Sequence, residues 1–144
     1  MKAISLHQPW ASLIAIGAKE METRHWTTEY RGPIAIHAAK SKANEAVFYS
    51  EPFRSVFASA YIRNFDQLPF GAIIAEGVLE RIFKADGIAP KLSANEKAFG
   101  DFSAGRAAWW IKHIRAFEPV PFVGQQGLFE IPVNLIPEPI VEDE

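Results

Sequence analysis

The segment GAKEMETRHW, residues 17–26, sets Lys19, Glu20, Glu22, Arg24 and His25 between an apolar stretch and a tryptophan. Such a set can serve two kinds of chemistry. An arginine presents a planar fork of donors that suits a phosphate or the edge of a base. A lysine taken partly out of water has a lowered pKa and can act as a base or nucleophile. Glu22 can orient either cation, accept a proton, or accept the amino group of a base. The same residue types also make mutually neutralising surface clusters. Regular strand alternation puts Glu22 and Arg24 on one face, with Lys19 on the turn before them.

The elements around this segment follow from periodicity. Ala3–Leu6 reads as a first strand. Pro9–Ile16 reads as a short helix, with proline in its first turn and Trp10, Leu13 and Ile14 on one face. Gly17 suits the left-handed position that ends such a helix. Met21–Trp26 alternates as a strand, and Ile34–Ala39 follows as another after the turn at 30–33. A helical region from Ser41 or Lys42 is interrupted by Pro52. It restarts with Phe53, Val56, Phe57, Ala60 and Tyr61 at amphipathic spacing.

Ala72–Phe83 is expected to be a long strand carrying Glu76 and Glu80 on one face, with Gly77 marking a bulge or a close backbone approach. Residues 84–106 read as a loop with a short helix at Ala94–Phe99. Ala107–Phe117 alternates as a strand that places Trp109, Ile111, His113 and Arg115 together, and Pro119 and Pro121 are expected to break it. A turn at Gly124–Gly127 leads to a last strand at Leu128–Ile131. About six strands and two or three flanking helices, without regular alternation, predict an α+β fold built on a small mixed β-barrel. Residues 1–137 are expected to form one domain, and 138–144 an acidic tail.

Composition narrows the function. The chain has 144 residues, 49% of them hydrophobic, and no cysteine. Disulfides, a thiolate zinc site and a cysteine nucleophile are excluded. The four histidines are scattered at 7, 25, 37 and 113, so no metal is expected. No cofactor is expected either, because a P-loop and a dinucleotide fingerprint are both absent. No apolar run reaches the roughly 20 residues that span a bilayer. The first ten residues lack the apolar centre of a signal peptide. A cytoplasmic protein with no membrane association is the expectation. Net charge is −2, but residues 1–42 carry six cations against three carboxylates, and the remainder nine against fourteen. A basic first third suits an anionic ligand.

Several motifs carry a family resemblance. They are Ser5-Leu6-His7-Gln8-Pro9-Trp10-Ala11, Gly17-x-Lys19-x-x-Glu22-x-Arg24, and Arg31-Gly32 before a strand ending His37-Ala38-Ala39-Lys40. Downstream stand Pro69-Phe70-Gly71-Ala72-Ile73-Ile74, Arg106-x-x-Trp109 and Pro121-x-x-Gly124-Gln125-Gln126-Gly127-Leu128-Phe129. Together these resemble the ASCH domain, a PUA-like β-barrel family, over about residues 3–132. The N-terminal run is most similar to the branch that includes the C-terminal domain of a transcriptional coactivator.

The resemblance implies a cleft beside the first helix and the Lys19–Arg24 strand. It also implies a nucleic-acid or nucleotide binding domain, with RNA the expected ligand ahead of DNA or a free nucleoside. Lys19, Arg24 and Lys40 are then candidates for phosphates. Trp10, Trp26 and Trp109 are candidates for stacking on a base, and Gln8 and Gln125 for reading its edge. Glu22, His37 and Arg106 complete the candidate lining.

Members of the family with hydrolytic activity imply a second reading, an acetylcytidine amidohydrolase or a ribonuclease. Lys19 falls on the lysine of the deacetylating branch. Glu22 stands where that branch has threonine, and Thr23 is assigned by alternation to the opposite face. Lys19 with Glu22 and Glu76 or Glu80 would supply the acid–base groups. A third reading, a protein-interaction or coregulator module, would use the aromatic helix at 53–61 if its stripe were exposed.

Overall fold

A computed structural model of the chain describes residues 1–139. The acidic tail expected at 138–144 lies, apart from its first two residues, outside the described residues. The strands are β1 (Lys2–Leu6), β2 (Met21–Arg24), β3 (Gly32–Ala38), β4 (Ala72–Lys84), β5 (Ala107–Pro121) and β6 (Leu128–Glu130). The helices are α1 (Trp10–Ala15), α2 (Glu45–Phe48), α3 (Phe53–Ser59), α4 (Ala85–Ile88) and α5 (Ala94–Ala98). Two or three helices are expected from the sequence; the described residues hold these five short ones, and α4 falls where a loop is expected. Pro52 separates α2 from α3, and residues 84–106 hold both α4 and α5.

The strands form one mixed sheet in the order β2-β5-β4-β3-β1-β6, in which β1 and β3 are parallel. It curls into a half-barrel, in which β4 and β5 form the longest ladder. That ladder shifts register three times. One shift lies at Gly77, where Glu76 opposes Arg115 and Val78 opposes Lys112. Gly77 alone on β4 thus opposes His113 and Ile114 on β5, and His113 takes a positive φ of 56°. The alternation expected along β5 therefore fails at His113. Trp109 and Ile111 face the core, and Ile114 joins them, while His113 is exposed. A second shift accommodates Pro119, so β5 continues to Pro121 and the prolines do not break it.

One core lies between the concave face of the sheet and α1, with Ile4, Ile14, Ile34, Ile36, Leu79, Trp109 and Ile111 buried. A second, largely aromatic core joins Leu13 of α1 to Phe48, Phe53, Phe57, Phe65 and Phe99. The stripe of α3 is thereby used in packing. Tyr61 lies beyond the helix end and is 85% exposed.

Curling brings two unpaired backbone edges together. β2 is a terminal strand that pairs only with β5. β1 pairs with β6 only through Ile4, so Ser5 and Leu6 have no strand on that side. The Arg24 guanidinium crosses this seam, donating from Nη2 to the Ser5 carbonyl at 2.6 Å. An open backbone edge carries unsatisfied polar groups, and here a side chain fills part of the gap.

Candidate functional site

The chain reaches the site through the turn after α1. Gly17 has φ +80°, and the Leu13 carbonyl accepts the N–H groups of Ala18 and Lys19. This left-handed reversal turns the chain into β2 and aims Lys19 inward. Its side chain has no solvent exposure. Its ammonium donates to the Met21 carbonyl and lies 3.5 Å from Glu22 Oε1. On the other side, Arg24 Nε lies 3.5 Å from Glu22 Oε2. A nearly buried carboxylate is therefore held between two cations. Arg24 Nε is itself buried and, among the described residues, has no hydrogen-bond partner.

Glu22 and Arg24 open onto a cavity of about 380 Å³. Its apolar wall is Leu6, Trp10, Phe53 and Phe99. Trp10 meets Phe53 edge to face at 6.2 Å. The opposite rim is built by the loop after α5. The Thr23 hydroxyl accepts the Asp101 N–H at 3.0 Å, and Arg106 donates to the Asp101 and Thr23 carbonyls at 3.1 and 3.2 Å. Hydrogen bonding from Ser103 holds the exposed Asp101 carboxyl below its usual pKa. Thr23, assigned from sequence to the far face, thus lines the same cavity as Glu22.

A second chamber of about 650 Å³ shares Arg24 and His7 with the first. Its floor is Ser5 and His37, and its far wall is the segment 123–127. His37 Nε2 lies 2.7 Å from the Phe122 carbonyl, which can only accept, so Nε2 carries the proton. Nδ1 then accepts the Ser5 hydroxyl at 2.8 Å. Burial pushes the His37 pKa down, against the opposing effect of the Phe122 carbonyl. Gly124 lies so close that a Cβ there would stand 2.5 Å from the ring. Lys40, Gln125, His25 and Trp26 complete the wall.

The sequence candidates divide sharply by position. Trp10, Glu22, Arg24, His37, Lys40, Arg106 and Gln125 all line one chamber or the other. Gln8, Lys19 and Trp109 do not. Gln8 is fully buried, and its amide is occupied by Ser12 and the Pro69 carbonyl. Trp109 is fully buried and donates to the Trp26 carbonyl, so its faces are closed to a base. Lys19 supports Glu22 from behind rather than facing the cavity. Glu76 pairs with Arg115 at 2.9 Å, and Glu80 faces His113 at 3.8 Å. Neither carboxylate lines a chamber, so the Lys19–Glu22–Glu76 set does not converge on one.

A different carboxylate stands behind Lys19. Glu96 on α5 accepts the N–H of Glu20 at 2.8 Å and that of Met21 at 3.4 Å. Desolvation raises its pKa, with those N–H groups and Lys19 pulling the other way. Its signal in the sequence was Ser93-x-x-Glu96, the pattern of a helix N-cap. The Ser93 hydroxyl does cap α5 by accepting the Glu96 N–H. The glutamate side chain instead leaves the helix to hold the start of β2. Among the described residues no three His, Asp or Glu side chains group as metal ligands, and no helix is long and apolar enough to cross a membrane.

The ASCH domain family model matches residues 4–121. Two curated relatives share a short stretch. Activating signal cointegrator 1 of Homo sapiens is 49% identical over 39 residues, 27% of this chain and 7% of that protein. The Mus musculus protein of the same name is 51% identical over 35 residues, 24% of this chain and 6% of that protein. The matches thus span less than a tenth of either relative's length. A crystal structure of ASCH from Zymomonas mobilis superposes with a TM-score of 0.55 at 15% identity, covering 93% of this chain and 89% of that one. A mutant of the same protein also gives 0.55 at 15% identity, over 93% and 91%. At that identity the likeness shows the fold alone. The match over most of the chain is decisive: this protein belongs to the ASCH domain family, with its PUA-like α+β fold.

Proposed function

We propose that the seam of the half-barrel binds a nucleotide unit of single-stranded nucleic acid, RNA in the first instance. The observation that carries this reading is the Lys19–Glu22–Arg24 row. It presents one carboxylate, held between two cations, and one guanidinium at the mouth of an aromatic-walled cavity. The volume and mixed lining suit a small planar ligand. Glu22 accepts an exocyclic amino group of the base, as a carboxylate accepts from cytosine N4. Trp10 and Phe53 flank the ring, and Arg24 meets the phosphate or a base carbonyl.

The modest net charge predicts weak, salt-sensitive association rather than tight duplex binding. The test is fluorescence anisotropy with labelled single-stranded RNA, single-stranded DNA and duplex DNA at two salt concentrations. Arg24→Gln is the control, because Lys19 is too deeply buried to report on contact alone. Binding to the single strands that weakens with salt and falls at least tenfold in Arg24→Gln supports the reading. Equal binding of all three polymers, unaffected by Arg24→Gln, contradicts it.

A further inference from the structure

We infer that the cleft is built for two successive nucleotides, and that the second chamber holds the bridging phosphate and the neighbouring nucleoside. The inference rests on the reading above and adds the length and polarity of the ligand.

Three observations carry it. The first is continuity. Arg24 and His7 line both chambers, so Arg24 stands at their junction rather than at an end. Its Nη2 is tied to the Ser5 carbonyl, which fixes the guanidinium across the seam. A fixed, donor-bearing cation between two cavities is where a linking phosphate would sit.

The second is a charge contrast. The first chamber sets Glu22 and Asp101 against Arg24 and Arg106 in its lining, so its fixed charges balance. The second has no carboxylate in its lining, which includes Arg24, Lys40, His7 and His25. A phosphate gains no net attraction from the balanced first set and is attracted by the second, whose lining sets no carboxylate against Arg24 and Lys40. The base with its amino group therefore enters the first chamber, and the phosphate lies toward the second.

The third is capacity. At about 650 Å³ the second chamber exceeds the first, at about 380 Å³, so it has room for a sugar and base beyond a phosphate. It also offers suitable surfaces. Trp26 is only partly buried and stands edge to face on Trp109 at 4.8 Å. That geometry fixes the indole as a platform on which a second base can stack. The Gln125 and Gln126 amides on the opposite wall can read its edge.

The floor keeps the chamber open. Ser5 and His37 satisfy each other, and His37 holds the Phe122 carbonyl, so the polar groups beneath the ligand are already paired. Gly124 leaves the depth that a Cβ would take away.

Isothermal titration calorimetry decides it with three ligands: cytidine, a cytidine-containing dinucleoside monophosphate, and a single-stranded RNA octamer. The dinucleoside monophosphate is expected to bind at least tenfold more tightly than cytidine. The double variant Lys40→Gln/His25→Gln, whose side chains lie at the rim and leave the core intact, is expected to reduce that advantage to under threefold. Backbone amide NMR spectra of the variant verify its fold. Equal affinity for cytidine and the dinucleoside monophosphate, with the variant unchanged, overturns the two-nucleotide inference and leaves single-nucleotide binding standing. No heat with any of the three ligands overturns both.

Discussion

Lys19 Nζ stands 3.5 Å from Glu22 Oε1 with the lysine side chain wholly enclosed. A buried pair costs little while intact and much when halved, because the survivor keeps its charge without its partner. Lys19→Met is therefore expected to lower stability by about 3–5 kcal/mol. Urea unfolding monitored by tryptophan fluorescence measures it. A loss below about 1 kcal/mol, the range of exposed pairs, would show that the pair is not desolvated as a unit.

Glu22→Gln addresses ligand choice rather than stability. Glutamine keeps the shape but brings a donor as well as an acceptor. Wild-type protein is expected to favour cytidine monophosphate over uridine monophosphate, with discrimination of about 1–3 kcal/mol typical of a good base-edge contact. The variant is expected to lose most of that preference. Competition binding of the two nucleotides is the measurement, and an unchanged ratio would remove Glu22 from base recognition.

His37 gives stability a pH dependence of defined sign. Burial lowers its pKa, so the folded state favours the neutral ring more than the unfolded chain does. Its contribution is complete above about pH 6.5. It is lost as pH falls from there through the lowered folded value. His37→Gln is expected to flatten this part of the stability curve in denaturant titrations between about pH 7 and 5. An unchanged slope would place the proton uptake elsewhere.

Glu96 has the opposite sign. Its pKa is raised above the ordinary 4.5, so its stabilising effect is present below that value and is lost as pH rises through the folded value. The stability of Glu96→Gln relative to wild type is expected to improve as pH rises from about 4 to 7. The variant also loses part of the grip on the Glu20 and Met21 N–H groups, so hydrogen exchange at those two amides is expected to accelerate. Slow exchange there would show that α5 does not hold the start of β2.

The legible part of this chain was local. Gly17 after an apolar helical face, and Glu22 and Arg24 at strand spacing, put the turn and the site row where they stand. What was not legible depended on the curvature of the sheet. The bulge at His113 reverses which residues of β5 face inward, and alternation cannot announce it. Thr23 reaches the cavity because β2 is a terminal strand against the loop at 100–101, a fact of topology. Trp109 and Trp26 look equally fit to stack in sequence, yet one lies under the other. Glu96 carried a helix-cap signature and met a distant backbone, 76 residues from Glu20 in sequence.

Backbone amide NMR during titration with a single-stranded RNA octamer shows where on the protein the nucleic acid binds. Binding at the seam is expected to shift His7, Thr23, Arg24, Asp101 and the Gly124–Gly127 segment progressively, with the Trp10 indole. Little change is expected at Glu76, Glu80 and Arg115 on β4 and β5. Shifts concentrated on those strands, or on the surface around Tyr61, would place the ligand elsewhere and rule out binding at the seam.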